Sequence, residues 1–502
     1  MANAAIPAAE HSGVARLTAG VGFWLGLHVI AWTIYATLSN GPADIHHDMA
    51  EAYAWGREFQ LGYFKHPPFW AWVAGLWFAV MPRADWAFYL LSMINAAVGL
   101  AGVWLIAGRL ISDRATRLAA VLLLEFVPFY HFLGFKFNAN TILISLWPWA
   151  IYFFLRTIEE KSWRVAIGLG LVAGLGLLSK YYFAILLASF GLAALIDTRR
   201  WDILRSPAPW IAIAAMLIVI APHVWWLTEN DYAPFKYVSD TAQHARAYIA
   251  WKAVQFGFGC LLFHIVVIGF LGVFSGGSRG ALLRFFSWKE SSPRRRLLLV
   301  VALAPPALTM LSALVTNVKI DTSFAIGIFP VIPLLLLTTP GYRMAERAPD
   351  YLRAGVIGLM AVMLIASPVI GYVRFARHAD RSDEPRLEAA REAEAIFLRE
   401  FNRPLRIVAG SWPYADETPF YARGPVSQFI DFSFARAPWI TPERLAREGA
   451  AAICIADDAG CRASAQAALT GPLREAAMTV RKRSLGREGR EVRLTLLMQA
   501  PR

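Results

Sequence analysis

The sequence predicts an α-helical polytopic membrane protein that ends in a small α/β domain. Apolar residues make up 57% of the 502 residues and charged residues only 17%, a balance typical of a chain with many membrane spans. Apolar runs long enough to cross a bilayer recur as far as Tyr372; beyond it charges rise, and short helix and strand patterns alternate. The predicted division is a membrane domain, 1–374, and a second domain, 375–502.

Eleven segments have the length and composition of spans, and because their ends are uncertain we expect about 11–13 crossings. They are 17–38, 86–108, 118–134, 139–155, 164–179, 181–196, 208–227, 253–274, 298–316, 322–338 and 352–373. Segment 68–81 is short and aromatic, so it is expected to lie in the interface or to re-enter the membrane. The apolar core of the first segment is too long for a cleavable signal.

Basic residues concentrate in alternate loops, which the positive-inside rule assigns to the cytoplasm. Those loops contain Arg109, Arg156, Arg199, the run 279–296 and Arg343. The first loop, 39–85, the loop 228–251 and everything after 372 are then expected in the periplasm of a bacterium, with the protein in the inner membrane. Since the formal charge of +13 is spread over loop ends, membrane lipids are expected partners and a nucleic acid is not.

The second domain carries its own secondary-structure pattern. An amphipathic helix is predicted over 384–401 and strands over 405–409, 452–456 and 492–498. Cys454 and Cys461 flank a turn in this domain, and in an oxidising compartment a disulfide between them is favoured over two free thiols. Cys260 lies in an apolar span and is expected to be part of the core.

The most informative stretch lies in the first loop, where Asp44-Ile-His-His-Asp48-Met-Ala-Glu51 is soon followed by Tyr63-Phe-Lys65-His66-Pro67-Pro68. Ionisable side chains are expensive at a membrane edge, so this cluster predicts a functional site. Asp48 fits a general base or an electrostatic partner for positive charge. Alternatively it is an N-cap, with Glu51 three residues later completing a capping box. Adjacent histidines usually point apart, so no metal site is predicted here.

Other outward residues are candidates for substrate binding. The two prolines hold Lys65 and His66 at a fixed depth, although a snorkelling lysine is the simpler reading. Lys180 stands in a tight turn between two apolar segments, where an anionic ligand is the better explanation. Asn138 and Asn140 either bind substrate or cap a helix beginning at Ala139, and the buried Glu125 is at least as well explained by hydrogen bonding. The candidate set is Lys65, His66, Lys136, Asn138, Asn140, Lys180, Tyr181, Lys236 and Arg246.

This layout resembles the family 39 glycosyltransferases, membrane enzymes of the C-type fold that include aminoarabinose transferases and protein O-mannosyltransferases. The shared features are the first span, the acidic loop around Asp48 with its motif ending in Pro67-Pro68, the multi-span body and the outward C-terminal domain. Lys136-Phe-Asn138-Ala-Asn140 and Ala437-Pro-Trp439 resemble a subgroup, the rhizobial lipopolysaccharide galacturonosyltransferases.

The resemblance implies a polyprenyl-phosphate sugar as donor, a lipid- or glycan-linked acceptor such as lipopolysaccharide core or lipid A, and no cofactor or nucleotide. No Walker loop is present, in agreement. Asp48 resembles the catalytic acidic residue in the first loop of that family, and Glu51 is the second catalytic candidate. Lys65 stands where the family has an acidic residue, and Asn138 or Asn140 where it has an aspartate. Both departures favour an anionic sugar such as a uronic acid, whereas a neutral hexose remains the alternative if Lys65 serves only the lipid phosphate.

Two other classes compete with this interpretation. A transporter or flippase would also have many spans, but its charges should lie near the middle of the membrane beside paired broken helices. Here the polar residues lie at the outward edges, with Glu125 as the main exception. A sensor would need a cytoplasmic output domain, and no long cytoplasmic segment is predicted.

Overall fold

The computed structural model describes residues 20–241 and 245–502. Within them the helices are α1 Val21–Asn40, α2 His47–Glu58, α3 Phe69–Val80, α4 Asp85–Ala107, α5 Arg114–Leu122, α6 Leu143–Glu160, α7 Trp163–Ser179, α8 Ala184–Ile196, α9 Arg200–Arg205, α10 Ala208–Glu229, α11 Ala233–Thr241, α12 Arg246–Leu262, α13 Ile265–Val273, α14 Pro293–Thr316, α15 Ile332–Leu337, α16 Ala348–Ala376, α17 Arg386–Phe401, α18 Tyr414–Tyr421, α19 Pro442–Glu448 and α20 Ala459–Ala468. The strands are β1 Ile407–Gly410, β2 Ser427–Gln428, β3 Ala450–Ile455, β4 Leu473–Ser484 and β5 Arg487–Gln499.

The protein is a multi-pass membrane protein. In the described ranges six helical segments are long and apolar enough to span a bilayer: α1, α4, α10, α12 with α13, α14 and α16. Shorter apolar helices occupy α3, α7 and the stretch that ends with α8. Residues 17–19 of the first predicted span lie outside the described residues. The 12 residues of α3 rise only about 18 Å, as expected for a segment that does not cross.

Two predicted spans are wrong as continuous helices. The chain predicted to span at 118–134 leaves α5 at Leu122 and passes through two short 3₁₀ turns. Glu125 lies there with 2% of its surface exposed, and its carboxylate accepts hydrogen bonds from His28 (2.8 Å) and Trp32 (2.9 Å). Segment 322–338 likewise begins as a 3₁₀ turn and contains only the short α15. Buried polar contacts and prolines override apolar periodicity at these places.

The basic loops meet one another, as the alternation of charges predicts. Glu159, at the end of α6, forms ion pairs with Arg109, which follows α4, and with Arg294, in the first turn of α14. Arg156 pairs with the neighbouring Glu160 at 2.8 Å. Loops assigned to one side of the membrane therefore share that side in the structure.

The C-terminal part contains a five-stranded sheet in the order β2-β1-β3-β5-β4. Strands β2, β1 and β3 are parallel, and β5 runs antiparallel to both β3 and β4. The predicted helix and the three predicted strands are present with shifted ends, while β2 and β4 were missed. Strand β4 lacks a clean apolar face because Lys482 occupies one of its buried positions. Cys454 in β3 and Cys461 in α20 form the favoured disulfide.

A buried ionic contact joins this sheet to the first loop. The Asp44 carboxylate accepts hydrogen bonds from the Lys482 ammonium and from the backbone N–H groups of Arg386 (3.0 Å) and Leu387 (3.1 Å). It therefore caps the N-terminus of α17, where negative charge is favoured. Arg386 in turn pairs with the buried Glu417 of α18. These contacts place the C-terminal domain directly over the loop that carries Asp48.

Helices α2 and α3 pack unusually closely beneath that domain. A Cβ atom on Gly56 would lie 2.1 Å from the carbonyl oxygen of Ala71, and one on Gly75 would lie 2.3 Å from that of Gly56. No side chain fits at either position, so two glycines allow the backbones to touch. The close packing fixes the direction of α2, whose first turn carries Asp48.

Candidate active site

Asp48 lies in the first turn of α2, two residues after the N-cap. His46 is the N-cap, because its Nδ1 accepts a hydrogen bond from the Asp48 backbone N–H at 3.3 Å. The capping-box interpretation of Asp48 is therefore wrong, and its carboxylate is free for other contacts. One carboxylate oxygen accepts a hydrogen bond from Asn138 Nδ2 at 2.9 Å, and the other lies 3.1 Å from His47 Nε2. Burial opposes ionisation of Asp48, but these neighbours outweigh it and hold its pKa below the usual range.

The two histidines come together, contrary to the expectation that they point apart. Their ring centroids are 4.0 Å apart, since the bend into α2 turns both side chains towards Asp48. Burial lowers the pKa of His46 to about 3, so this imidazole is neutral. Ligand atoms of His46, His47 and Asp48 lie within 4.8 Å of one another, a spacing that suits a divalent cation. However, His46 Nδ1 already caps the helix, and metal independence remains a prediction.

Glu51 lies one turn after Asp48 and faces the proline motif. Its Oε2 is 2.6 Å from Lys65 Nζ. Burial raises the pKa of Glu51 to about 7, although the Lys65 charge opposes that shift. The pKa of Lys65 is raised, because Glu51 more than offsets the effect of burial. The pair thus supplies a carboxylate near its titration point, a property common at catalytic sites.

Lys180 and the asparagines form the opposite wall. Asn138 Oδ1 accepts hydrogen bonds from the backbone N–H groups of Asn140 (2.9 Å) and Thr141 (3.0 Å), so it shapes the turn before α6 while its amide reaches Asp48. Asn140 Oδ1 accepts a hydrogen bond from the Lys180 ammonium. The helix begins at Leu143 and not at Ala139, so Asn138 shapes the turn before it, and substrate binding by the two asparagines stays a prediction.

The cations on this wall differ from Lys65 in their surroundings. Lys180 Nζ lies 4.3 Å from the centre of the Phe324 ring, and burial lowers the pKa of Lys180 to about 8. Burial also lowers the pKa of Lys136. The pKa of His66 lies well below the usual range because of burial and the nearby charges of Lys180 and Lys65, so this imidazole is neutral. Within the described part of the chain, neither Lys180 nor Lys136 has a carboxylate within ion-pair distance.

Tyr181 connects the turn after α7 to α10 and, through His223, to the first loop. Its hydroxyl lies 2.8 Å from His223 Nε2, and His223 Nδ1 donates to the Leu61 carbonyl at 2.7 Å. Phe235 of α11 stacks on the Tyr181 ring at 4.9 Å. Lys236 does not reach the cluster: it pairs with Asp231 at 2.5 Å, and the two side chains are 61% and 89% exposed. Arg246 lies exposed at the first residue of α12.

Comparison with known proteins finds a family model and curated enzymes that resemble this chain. Residues 65–226 match the model of dolichyl-phosphate-mannose-protein mannosyltransferases. The chain is 26% identical over 432 residues to the lipopolysaccharide core galacturonosyltransferase RgtA of Rhizobium johnstonii, a match that covers 77% of this chain and 81% of RgtA. It is 25% identical to RgtB of the same organism over 70% of this chain and 71% of RgtB.

The chain is a glycosyltransferase, and these matches support its resemblance to the family 39 C-type membrane enzymes.

Its fold agrees with a solved enzyme structure. ArnT from Cupriavidus metallidurans in the apo state superimposes on this glycosyltransferase with a TM-score of 0.60 at 13% identity, covering 96% of this chain and 98% of ArnT. The same protein bound to undecaprenyl phosphate superimposes with a TM-score of 0.53 at 14% identity, over 97% and 98% of the two chains.

Sequence reasoning missed the part of the glycosyltransferase's site that comes from the C-terminal domain. Trp412 packs edge-on against His47 with ring centroids 5.5 Å apart. Asp416 is half-buried and lies close enough to Glu51 to raise the pKa of that carboxyl further. Both residues follow β1 in Gly410-Ser-Trp-Pro-Tyr-Ala-Asp416. Aromatic and acidic residues after the carboxyl end of a parallel strand were the available signal.

Proposed function

We propose that this glycosyltransferase moves a sugar from a polyprenyl-phosphate donor to an acceptor on lipopolysaccharide core or lipid A, in the periplasm. The observation that carries the proposal is an ionised Asp48 near two lysines, Lys136 and Lys180, that have no carboxylate within ion-pair distance in the described ranges. The names of RgtA and RgtB, and the undecaprenyl phosphate bound to ArnT, support the same donor and acceptor classes.

The lysines account for the donor phosphate. A desolvated cation that has no carboxylate partner is costly. Lys180 lies where the apolar α7 ends and the 3₁₀ turn before α8 begins. A lipid tail along those helices would bring its phosphate to this ammonium. Lys180 then stabilises the negative charge that develops on the polyprenyl phosphate as the glycosidic bond breaks.

The carboxylates account for the transfer step. The acceptor oxygen attacks the anomeric carbon, the carbon–oxygen bond to the polyprenyl phosphate breaks, and the hydroxyl proton passes to an enzyme base. The low pKa of Asp48 suits it to orient the hydroxyl and balance positive charge on the sugar. Glu51, with a pKa of about 7, is better matched to accept the proton. If the acceptor atom belongs to a phosphate, no base is required.

The donor sugar is best assigned as a uronic acid, for a reason that differs from the one the sequence suggests. The charge of Lys65 is offset by Glu51, so Lys65 alone does not make the pocket positive. Lys180 donates to Asn140, and in the described residues neither Lys180 nor Lys136 has a carboxylate within ion-pair distance. A sugar carboxylate would find cations there that a neutral hexose would leave unpaired.

Two experiments test this function. Mass spectrometry of lipopolysaccharide and envelope glycans from cells with and without the gene should reveal one missing acidic sugar, and unchanged glycans would refute the proposal.

Alkaline phosphatase fused after 372 or within 228–251 should be active, while a fusion within 279–296 should be silent. The reverse pattern would put Asp48 in the cytoplasm and remove the assigned compartment.

A further inference from the structure

A second cavity lies in the C-terminal domain, beyond the cluster around Asp48. Its volume is about 760 Å³, within the range of small-molecule sites. The linker before α17, the segments that follow β1 and β3, and residues 490–493 of β5 form its walls. Strands β1 and β3 are neighbours and parallel, so the cavity lies at the carboxyl ends of two parallel strands. Open α/β sheets bind their ligands at such a position.

The lining of this cavity combines an aromatic ring with charged groups. Trp412 is 45% exposed, and the Arg381 guanidinium lies 4.2 Å from the centre of its ring. Arg490 lies 3.8 Å from the buried Glu384. Arg493 is exposed and, among the residues that the structure describes, has no ion-pair partner. An exposed aromatic surface can pack against the C–H face of a sugar ring, and a free guanidinium binds a carboxylate or phosphate through two parallel hydrogen bonds.

The cavity borders the candidate active site through one shared side chain, Trp412. Trp412 lines it and also touches His47, and His47 Nε2 lies 3.1 Å from Asp48. A glycan seated against Trp412 would thus have its end beside the carboxylate that orients the attacking hydroxyl. Lys180, the proposed contact of the donor phosphate, binds Asn140 and does not line this cavity. Donor and acceptor would therefore have separate contacts.

We propose that this cavity holds the glycan of the acceptor, with a sugar ring on Trp412 and an anionic substituent, carboxylate or phosphate, at Arg493. The proposal rests on the proposed function, because it names the acceptor subsite of that same reaction. It assigns to the C-terminal domain a direct part in substrate selection.

The decisive variant is Arg493→Ala, because this exposed side chain touches neither the catalytic loop nor the domain core. The assay uses purified full-length enzyme, a polyprenyl-phosphate sugar and lipopolysaccharide from the source bacterium lacking the gene. We expect KM for lipopolysaccharide to rise about 10-fold or more, as loss of a charge-assisted hydrogen bond predicts. KM for the donor should change by less than about twofold. Arg447→Ala, which removes an exposed arginine outside the cavity, is the matched control.

Trp412→Ala provides a second test. It should also raise the acceptor KM, and Trp412→Phe should restore part of the loss because a ring remains. Direct binding of the oligosaccharide released from the same lipopolysaccharide should weaken in parallel. If wild-type enzyme transfers sugar but Arg493→Ala and Trp412→Ala keep the wild-type acceptor KM, the cavity is not the acceptor site. If wild-type enzyme neither transfers sugar nor releases polyprenyl phosphate, the proposed function itself fails.

Discussion

The ammonium of Lys65 lies 2.6 Å from the carboxylate of Glu51, so the basic residue of the proline motif is neutralised by an acidic residue on the preceding helix. The motif therefore retains an acid–base pair even though its first charged position is basic. The carboxylate of the pair lies on α2, one turn beyond Asp48. It provides a proton acceptor beside the basic residue of the motif.

The pair predicts a shift in the pH dependence of transfer. Burial raises the pKa of Glu51 to about 7 against the opposing charge of Lys65, so removing that charge must raise the pKa further. If ionised Glu51 accepts the proton, activity rises with pH through this pKa. In Lys65→Met the rising limb of kcat/KM should therefore move to higher pH, and in Glu51→Gln it should disappear. An unmoved limb in Lys65→Met would exclude Glu51 as the base.

Asp48→Asn should abolish most transfer without unfolding α2. The cap is His46, so the substitution leaves the helix start intact, and the new amide oxygen can still accept the Asn138 hydrogen bond. Loss of the negative charge should lower kcat by about 10²-fold or more. Thermal unfolding in detergent should be close to wild type. Near-normal activity would leave Asp48 with a structural role only.

Lys180 and Lys236 form a matched pair for testing the donor phosphate site. Lys180 contacts Asn140 in the cluster, while Lys236 is exposed and bound to Asp231. Lys180→Met should raise KM for the polyprenyl-phosphate donor by about 10- to 100-fold, because loss of a charge-assisted hydrogen bond weakens binding by roughly that factor. Lys236→Met should have little effect. Equal losses in the two variants would indicate that the phosphate binds elsewhere.

The buried contact of Asp44 with Lys482 and α17 should dominate docking of the C-terminal domain. Asp44→Ala leaves the Lys482 ammonium buried without its partner, which typically costs about 3–5 kcal/mol of unfolding free energy. Asp350→Ala breaks an exposed pair with Arg353 and should cost less than about 1 kcal/mol. Denaturant unfolding in micelles measures both. Similar values for the two variants would mean that the domain is held by other contacts.

Local patterns were enough to predict the membrane class, most apolar helices and the small C-terminal domain. They missed the contacts that make the site, because those join distant parts of the chain. Asn138 reaches Asp48 across 90 residues, and Lys482 reaches Asp44 across 438. Hydrophobic periodicity also failed where a polar residue is buried. Glu125 lies in a 3₁₀ turn inside a predicted span, and Lys482 interrupts the alternation of apolar and polar residues in β4.

Transfer by the purified protein tests the central claim most directly. Full-length enzyme is supplied with a polyprenyl-phosphate uronate or a polyprenyl-phosphate hexose, together with lipopolysaccharide lacking the added sugar, and products are read by mass spectrometry. We predict uronosyl transfer with release of polyprenyl phosphate, about 10-fold or more faster than hexosyl transfer, and almost none in Asp48→Asn. Efficient use of the hexose alone would refute the charge argument for the sugar. No transfer from any polyprenyl-phosphate donor would contradict the proposed function.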